Sequence, residues 1–206
     1  MSQKGKSRIL LGYKISGNPL FVSICAIFAT LTTIFTTVLF IPIPATGGYF
    51  NFGDAGVMIA GLLFGPWVGL FVGGIGSMLG DVILGYLPFA PLTLLAKGLE
   101  GFVVGLVADP KNRLRRLEWR DFIGVGIGGA AMVLIYFIGE LLFFGGVGAA
   151  LDEIPANLIQ IGGGATIALL AITSIRKGLL ASSPLIRTTL FPTNTPPSRE
   201  NNLAVS

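Results

Sequence analysis

Long apolar runs, rather than strand-like alternation, organise this sequence. The first runs from about Pro19 to Ile43, long enough as a helix to cross a ~30 Å hydrocarbon layer. Ile41-Pro42-Ile43-Pro44 and Thr46-Gly47-Gly48 break it. A second run, Asp54 to Phe64, is short: as a helix to Gly65 it rises only ~18 Å, so it starts earlier or spans in part. Gly65-Pro66 turns into a third span ending near Leu87, and Tyr86-Leu87-Pro88 turns into a fourth, from about Pro91 to Ala108. A polar loop, Asp109 to Asp121, precedes a fifth helix from about Phe122 to Phe144. The sixth covers about Ile154 to Ile175 and stops at Arg176-Lys177-Gly178. The pattern predicts an all-α, polytopic membrane protein with six transmembrane helices in residues 1–178. Residues 179–206, with Ser182-Ser183-Pro184 and Pro192-Thr193-Asn194-Thr195-Pro196-Pro197, read as a disordered cytoplasmic tail.

Composition agrees: 52% of the 206 residues are hydrophobic and 12% charged, with mean hydropathy +0.81, against about 25% charged in a soluble domain. With no His and one Cys, Cys25, there is no His-based triad, no internal disulfide, and no zinc or haem site of the usual ligands. No phosphate-binding P-loop is present, and Gly124-Val125-Gly126-Ile127-Gly128-Gly129 lies inside a span with no preceding strand, which removes the dinucleotide-loop reading. Neither catalysis nor a metal or other cofactor is indicated.

The net charge of +4 is a matter of topology, not of nucleic acid. Lys4, Lys6, Arg8 and Lys14 precede the first span, and its length argues against a cleaved signal. Five bases lie between Lys111 and Arg120, and Arg176, Lys177, Arg187 and Arg199 follow the sixth span. Six crossings put these thirteen on one side, which the positive-inside rule makes cytoplasmic, along with both termini. The fourteenth base, Lys97, falls within a span.

Ionisable groups inside spans cost ~2.5–3.5 kcal/mol each on insertion scales and ask for a partner or a purpose. Asp81, Lys97, Glu100 and Glu140 are such groups, with Asp54 at the mouth of a span. Helical rise puts Asp81 and Lys97 roughly 9 Å, and Glu140 roughly 6 Å, inside the outer ends of their helices. Asn157 and Gln160 fall in the same layer. One reading is structural: Asp81 pairs with Lys97, Asn157 bonds a neighbouring helix, and Glu100 pairs with Lys97 at i+3. The other is a polar pocket opening outward. In Tyr49-Phe50-Asn51-Phe52-Gly53-Asp54, Asn51 and Asp54 either cap a helix start or hydrogen-bond a flat ligand on which Phe50 or Phe52 stacks.

The 30 glycines concentrate in stripes. Gly61, Gly65, Gly69 and Gly73, continued by Gly76 and Gly80, let helices approach closely, and internal packing is the expected use of most of them.

Asn51-Phe52-Gly53-Asp54, Leu63-Phe64-Gly65-Pro66, Gly73-Gly74-Ile75-Gly76-Ser77, Asp81, Tyr86-Leu87-Pro88-Phe89-Ala90-Pro91 and Lys97-Gly98-Leu99-Glu100-Gly101 together resemble the substrate-binding S components of energy-coupling factor (ECF) transporters. The resemblance implies a six-helix protein of the prokaryotic plasma membrane that is not an enzyme. It captures a vitamin or vitamin precursor from outside, beneath the loop joining helices one and two. Its partners would be membrane lipid, a transmembrane coupling subunit and two cytoplasmic ATPase subunits. Family members often meet the coupling subunit through Ala-xxx-Ala on helix one, where this chain has Cys25-xxx-Ala29 and Ala26-xxx-Thr30. The candidate substrate-binding residues are Phe50, Asn51, Asp54, Asp81, Lys97, Glu140 and Asn157. Aromatic and amide groups suggest a heteroaromatic ligand such as riboflavin, pyridoxine or a thiamine precursor. The alternative is a stand-alone proton- or ion-coupled carrier using Asp81, Lys97 and Glu140 as a relay.

Overall fold

The computed structural model describes residues 7–43, 48–112, 117–180 and 191. It contains six α-helices: α1 (Pro19–Val38), α2 (Gly53–Phe64), α3 (Pro66–Leu84), α4 (Ala90–Ala108), α5 (Trp119–Phe143) and α6 (Gly146–Ile175). All but α2 are long and apolar enough to cross a membrane, and the protein is a multi-pass membrane protein.

The short second run is a central helix rather than a full span. All twelve residues of α2 are buried, which suits a helix apolar on every side. Its C-terminal carbonyls are far from water, and an arginine serves them. Arg176 donates from Nη2 to the Leu62 carbonyl at 2.8 Å, while its guanidinium holds Asp121 through two bonds of 2.8 Å. That fork ties α2, α5 and the end of α6 together at one pole of the bundle.

Two hairpins depart from the all-helical expectation. At the N-terminus, β1 (Ser7–Leu10) pairs antiparallel with β2 (Tyr13–Ser16). Leu11 and Gly12 turn between them at φ of 55° and 77°, as a tight two-residue hairpin turn requires. Tyr13 packs beside Gly65 and donates to Asp109 at 2.9 Å. Burial and the Asp109 charge raise its phenol, which remains a donor. The second hairpin shortens the first span: α1 stops at Val38, and β3 (Phe40–Ile43) pairs with β4 (Gly48–Asn51). Pro42 fits because a two-stranded ribbon leaves each strand an outer edge.

Helices five and six begin earlier than their apolar runs. Glu118 and Asp121 form a capping box that starts α5 at Trp119. Helix α6 starts at Gly146 and carries Pro155 inside it, so the stretch before Ile154 is helical. A π-helical turn, Arg176–Leu180, extends it past the expected boundary at 178. Of the expected tail, residues 181–190 and 192–206 lie outside the described residues; Phe191 packs edge-on against Tyr13.

The poles differ. The N-terminal hairpin, the α2–α3 turn, the α4–α5 connection with the start of α5, and the end of α6 share one, and every described base except Lys97 lies on these segments. The β3–β4 hairpin lies at the other, with Tyr49 4.6 Å from Tyr86 and Phe89 stacked on Phe144 at 4.2 Å.

The glycine stripes pack internally. Gly69 of α3 and Gly101 of α4 face each other so closely that a Cβ on either would overlap the other's backbone. We expect Gly101→Val to lower the unfolding midpoint in detergent by about 5 °C, the shift that about 2 kcal/mol of overpacking gives in a chain of this size. Gly126→Ala, where a Cβ meets open space, should leave the midpoint in place in the same thermal scan.

Candidate functional site

At the hairpin pole, five helices and β4 close around a polar cavity. Each of four helices supplies a polar pair one turn apart: Ser77 and Asp81 from α3, Thr93 and Lys97 from α4, Tyr136 and Glu140 from α5, Glu153 and Asn157 from α6. Residues at i and i+4 lie on one helical face, so each pair lines the cavity at two depths. Thr36 of α1, Tyr49 and Asn51 of β4, Phe89 before α4 and Gln160 of α6 complete the lining.

Beneath the cavity runs a network of buried polar groups. Lys97 Nζ is in contact with Asp54 of α2 and lies 3.5 Å from Glu100; all three are essentially inaccessible to solvent. Gln160 Nε2 donates to both Asp54 oxygens, at 3.2 and 3.1 Å. Its Oε1 in turn accepts from the Asn51 backbone N–H at 3.0 Å and from Asn51 Nδ2 at 3.3 Å. Asn51 Oδ1 accepts from Gly53 N–H at 2.7 Å, satisfying one of the free amides at the start of α2. The network thus joins α2, α4, α6 and the hairpin.

Above it, Tyr49 Oη donates to Asp81 at 2.5 Å. Burial, the Asp81 charge and this bond push the Tyr49 phenol upward, so it stays a neutral donor. On the opposite wall Tyr136 donates to Thr93 Oγ1 at 2.9 Å. Two lining groups, Ser77 Oγ and the carboxylate of Glu140, have no hydrogen-bond partner among the described residues, though Ser77 is 3% and Glu140 2% exposed. Buried polar groups ordinarily find partners, so these two are open to a molecule in the cavity.

The structure brings Asn51, Asp81, Lys97, Glu140 and Asn157 to the cavity wall. Asp54 sits under the floor, held by Lys97 and Gln160. Phe50 does not line the cavity; it packs edge-on against Phe52 at 5.2 Å, because successive strand residues face opposite ways and Tyr49 and Asn51 take the inner side. The structural pairing of Asp81 with Lys97 is replaced by Lys97 with Asp54, while the Lys97–Glu100 contact is present. Sequence reasoning missed Thr36, Tyr49, Ser77, Phe89, Thr93, Tyr136 and Glu153 as lining groups. It placed Gln160 in the right layer without assigning it a role. The i, i+4 pairs carried the signal for Ser77, Thr93 and Tyr136, while Glu153 fell one residue before the expected start of the sixth helix.

A multi-pass helical bundle with a buried polar cavity toward one pole defines a polytopic membrane protein with a candidate small-molecule site. The chain belongs to the family described as ECF-type riboflavin transporter, S component, which matches residues 19–177; that family comprises transport components rather than enzymes. A Pyrococcus woesei protein described as "Uncharacterized protein in gap 3'region" is 41% identical over 138 residues, 64% of this chain and 89% of the relative. The thiamine precursor transporter HmpT of Lactococcus lactis subsp. cremoris is 28% identical over 142 residues, 68% of this chain and 78% of the relative.

Removing one member of a buried charge pair costs about 3–5 kcal/mol, because its partner stays buried and uncompensated. Lys97→Met strands two carboxylates, whereas Asp54→Asn leaves Lys97 with Glu100 and Gln160 with an amide. Thermal unfolding of the purified variants should therefore show Lys97→Met to be the more destabilised.

Proposed function

We propose that the protein is the substrate-capturing subunit of an ATP-driven, ECF-type uptake transporter for a vitamin or vitamin precursor with a heteroaromatic ring. The observation that carries this reading is the cavity itself: a buried polar site whose wall includes Ser77 and Glu140 without hydrogen-bond partners among the described residues, in a chain of that family. Asn51, Asp81, Lys97, Glu140 and Asn157 bind the ligand in this proposal, with Tyr49, Phe89 and Tyr136 supplying flat faces. Asp54 acts through Lys97 and Gln160. The name of the Lactococcus lactis relative, a thiamine precursor transporter, favours a thiamine precursor, and the riboflavin-transporter family supports riboflavin as the second candidate.

The cavity holds about 30 Å³, room for one water, while a ring-sized ligand needs a pocket of roughly 300 Å³ or more. Loading therefore requires the walls to part. The β3–β4 side is the natural place, being held over the cavity by Tyr49–Asp81 and Asn51–Gln160.

In the membrane, we place the hairpin pole outside and the basic pole in the prokaryotic cytoplasm with both termini. Helix one would meet the coupling subunit through Ala26 and Thr30, because Cys25 and Ala29 are buried against the bundle while Ala26 and Thr30 are exposed.

Purified protein should retain a heteroaromatic small molecule that mass spectrometry identifies. Cells should accumulate it only when the coupling subunit and ATPases are co-expressed. Accumulation driven by a pH gradient without them would establish a carrier instead. For the orientation, an impermeant maleimide on intact cells should label Asp152→Cys and spare Lys177→Cys, two exposed positions at opposite poles; the reverse labelling would invert the topology.

A further inference from the structure

We propose that the molecule captured in this cavity is an organic cation, a ring bearing a protonated or quaternary nitrogen, and that Glu140 and Glu153 supply its countercharge. This rests on the reading of the chain as a substrate-capturing subunit and narrows the chemistry of its substrate.

The charge distribution carries the inference. Asp54, Asp81, Glu100, Glu140, Asp152 and Glu153 belong to the cavity half of the protein, where Lys97 is the only base among the described residues. That base is already engaged, in contact with Asp54 and 3.5 Å from Glu100, so it has little charge left to offer an anion. Asp81 receives a neutral donor, Tyr49. Glu140 and Glu153 both line the cavity, are 2% and 7% exposed, and stand on facing helices. Both oxygens of Glu140 lack a hydrogen-bond partner among the described residues. A buried carboxylate costs several kcal/mol unless an opposite charge accompanies it. Among the described residues no further Lys or Arg lines this cavity, so a cationic ligand would bring Glu140 the opposite charge that its wall lacks.

The aromatic lining points the same way. Tyr49, Phe89 and Tyr136 border the space, and ring faces attract cations; Lys97 Nζ already lies 5.8 Å from the Tyr136 ring centre. A metal ion fits less well than an organic cation. No three Asp, Glu, His or Cys side chains among the described residues are grouped closely enough to chelate one.

The test is equilibrium dialysis of the purified full chain against three matched pairs that differ in charge: pyridoxamine and pyridoxine, thiamine and thiamine monophosphate, riboflavin and flavin mononucleotide. At least one of the cations, pyridoxamine or thiamine, should bind, and at least about tenfold tighter than the less positive member of its pair, the low end for a close buried charge pair; tighter binding of neutral riboflavin than of both cations overturns the proposal. Glu140→Gln should shrink that ratio to about threefold or less. Glu153→Gln provides a second variant should the first not survive purification, with the unfolding midpoint as the check on both. Equal binding within the pairs, a preference for the less positive member, or a ratio unmoved by either substitution overturns the proposal alone. Failure of all six compounds to bind overturns it together with the vitamin-capture reading.

Discussion

The contact between Lys97 and Asp54 is the constraint on which the polar interior depends. Asp54 begins a helix with no solvent-exposed face, and Lys97 is four residues from Thr93 and three from Glu100 on α4. Neither charge is tolerable alone at that depth, so α2 and α4 must lie in one register. Gln160 then has a single place to go: its amide nitrogen to Asp54 and its oxygen to Asn51. Through those two bonds α6 and the β3–β4 hairpin inherit the register. Such a pair contributes little net stability over apolar residues of the same volume. Leaving either charge without the other would be strongly destabilising, which disfavours packings of α2 and α4 that separate them.

Close approach by glycine makes that register possible. A Cβ at Gly73 would overlap the Lys97 carbonyl, so α3 is drawn against α4 where the lysine begins, bringing Ser77 and Asp81 to the same level as Thr93 and Lys97. Gly164 does the same for α6, which passes directly over Asp54. In lipid, where apolar faces gain little by meeting one another, such contacts supply much of the attraction between helices. The small residues set the distances, and the polar residues set the rotation.

Helix number and the depth of the polar layer were legible because both follow from run length and helical rise. So was the use of the glycine stripes for internal packing. Partner identity was not: Asp81 and Lys97 lie at equal depth, and depth alone cannot separate that pairing from Lys97 with Asp54, which turns on how each helix is rotated. The hairpins were missed for another reason. Phe40-Ile41-Pro42-Ile43 continues an apolar run without a break in hydropathy, and its strand character arises only from pairing with Gly48–Asn51. That pairing also decides that Tyr49 rather than Phe50 faces the cavity. Glu153 was lost because the apolar run of the sixth helix begins at Ile154, whereas α6 itself starts at Gly146 and continues through Pro155.

The two poles are built to different strengths, and the difference bears on how the site works. At the basic pole the Arg176–Asp121 fork is bidentate, buried, and locked to the Leu62 carbonyl, so α2, α5 and α6 converge there through charge-assisted bonds. At the hairpin pole the wall above the cavity is held by Tyr49 on Asp81 and by side-chain amides, and β3 and β4 are only four residues each. A two-stranded ribbon of that length has little stability of its own. Separation of the walls therefore costs least at the hairpin, leaving the floor formed by Asp54, Lys97 and Gln160 in place. A ligand entering from that side would meet a preformed floor and supply, by its own contacts, the closure the hairpin lacks.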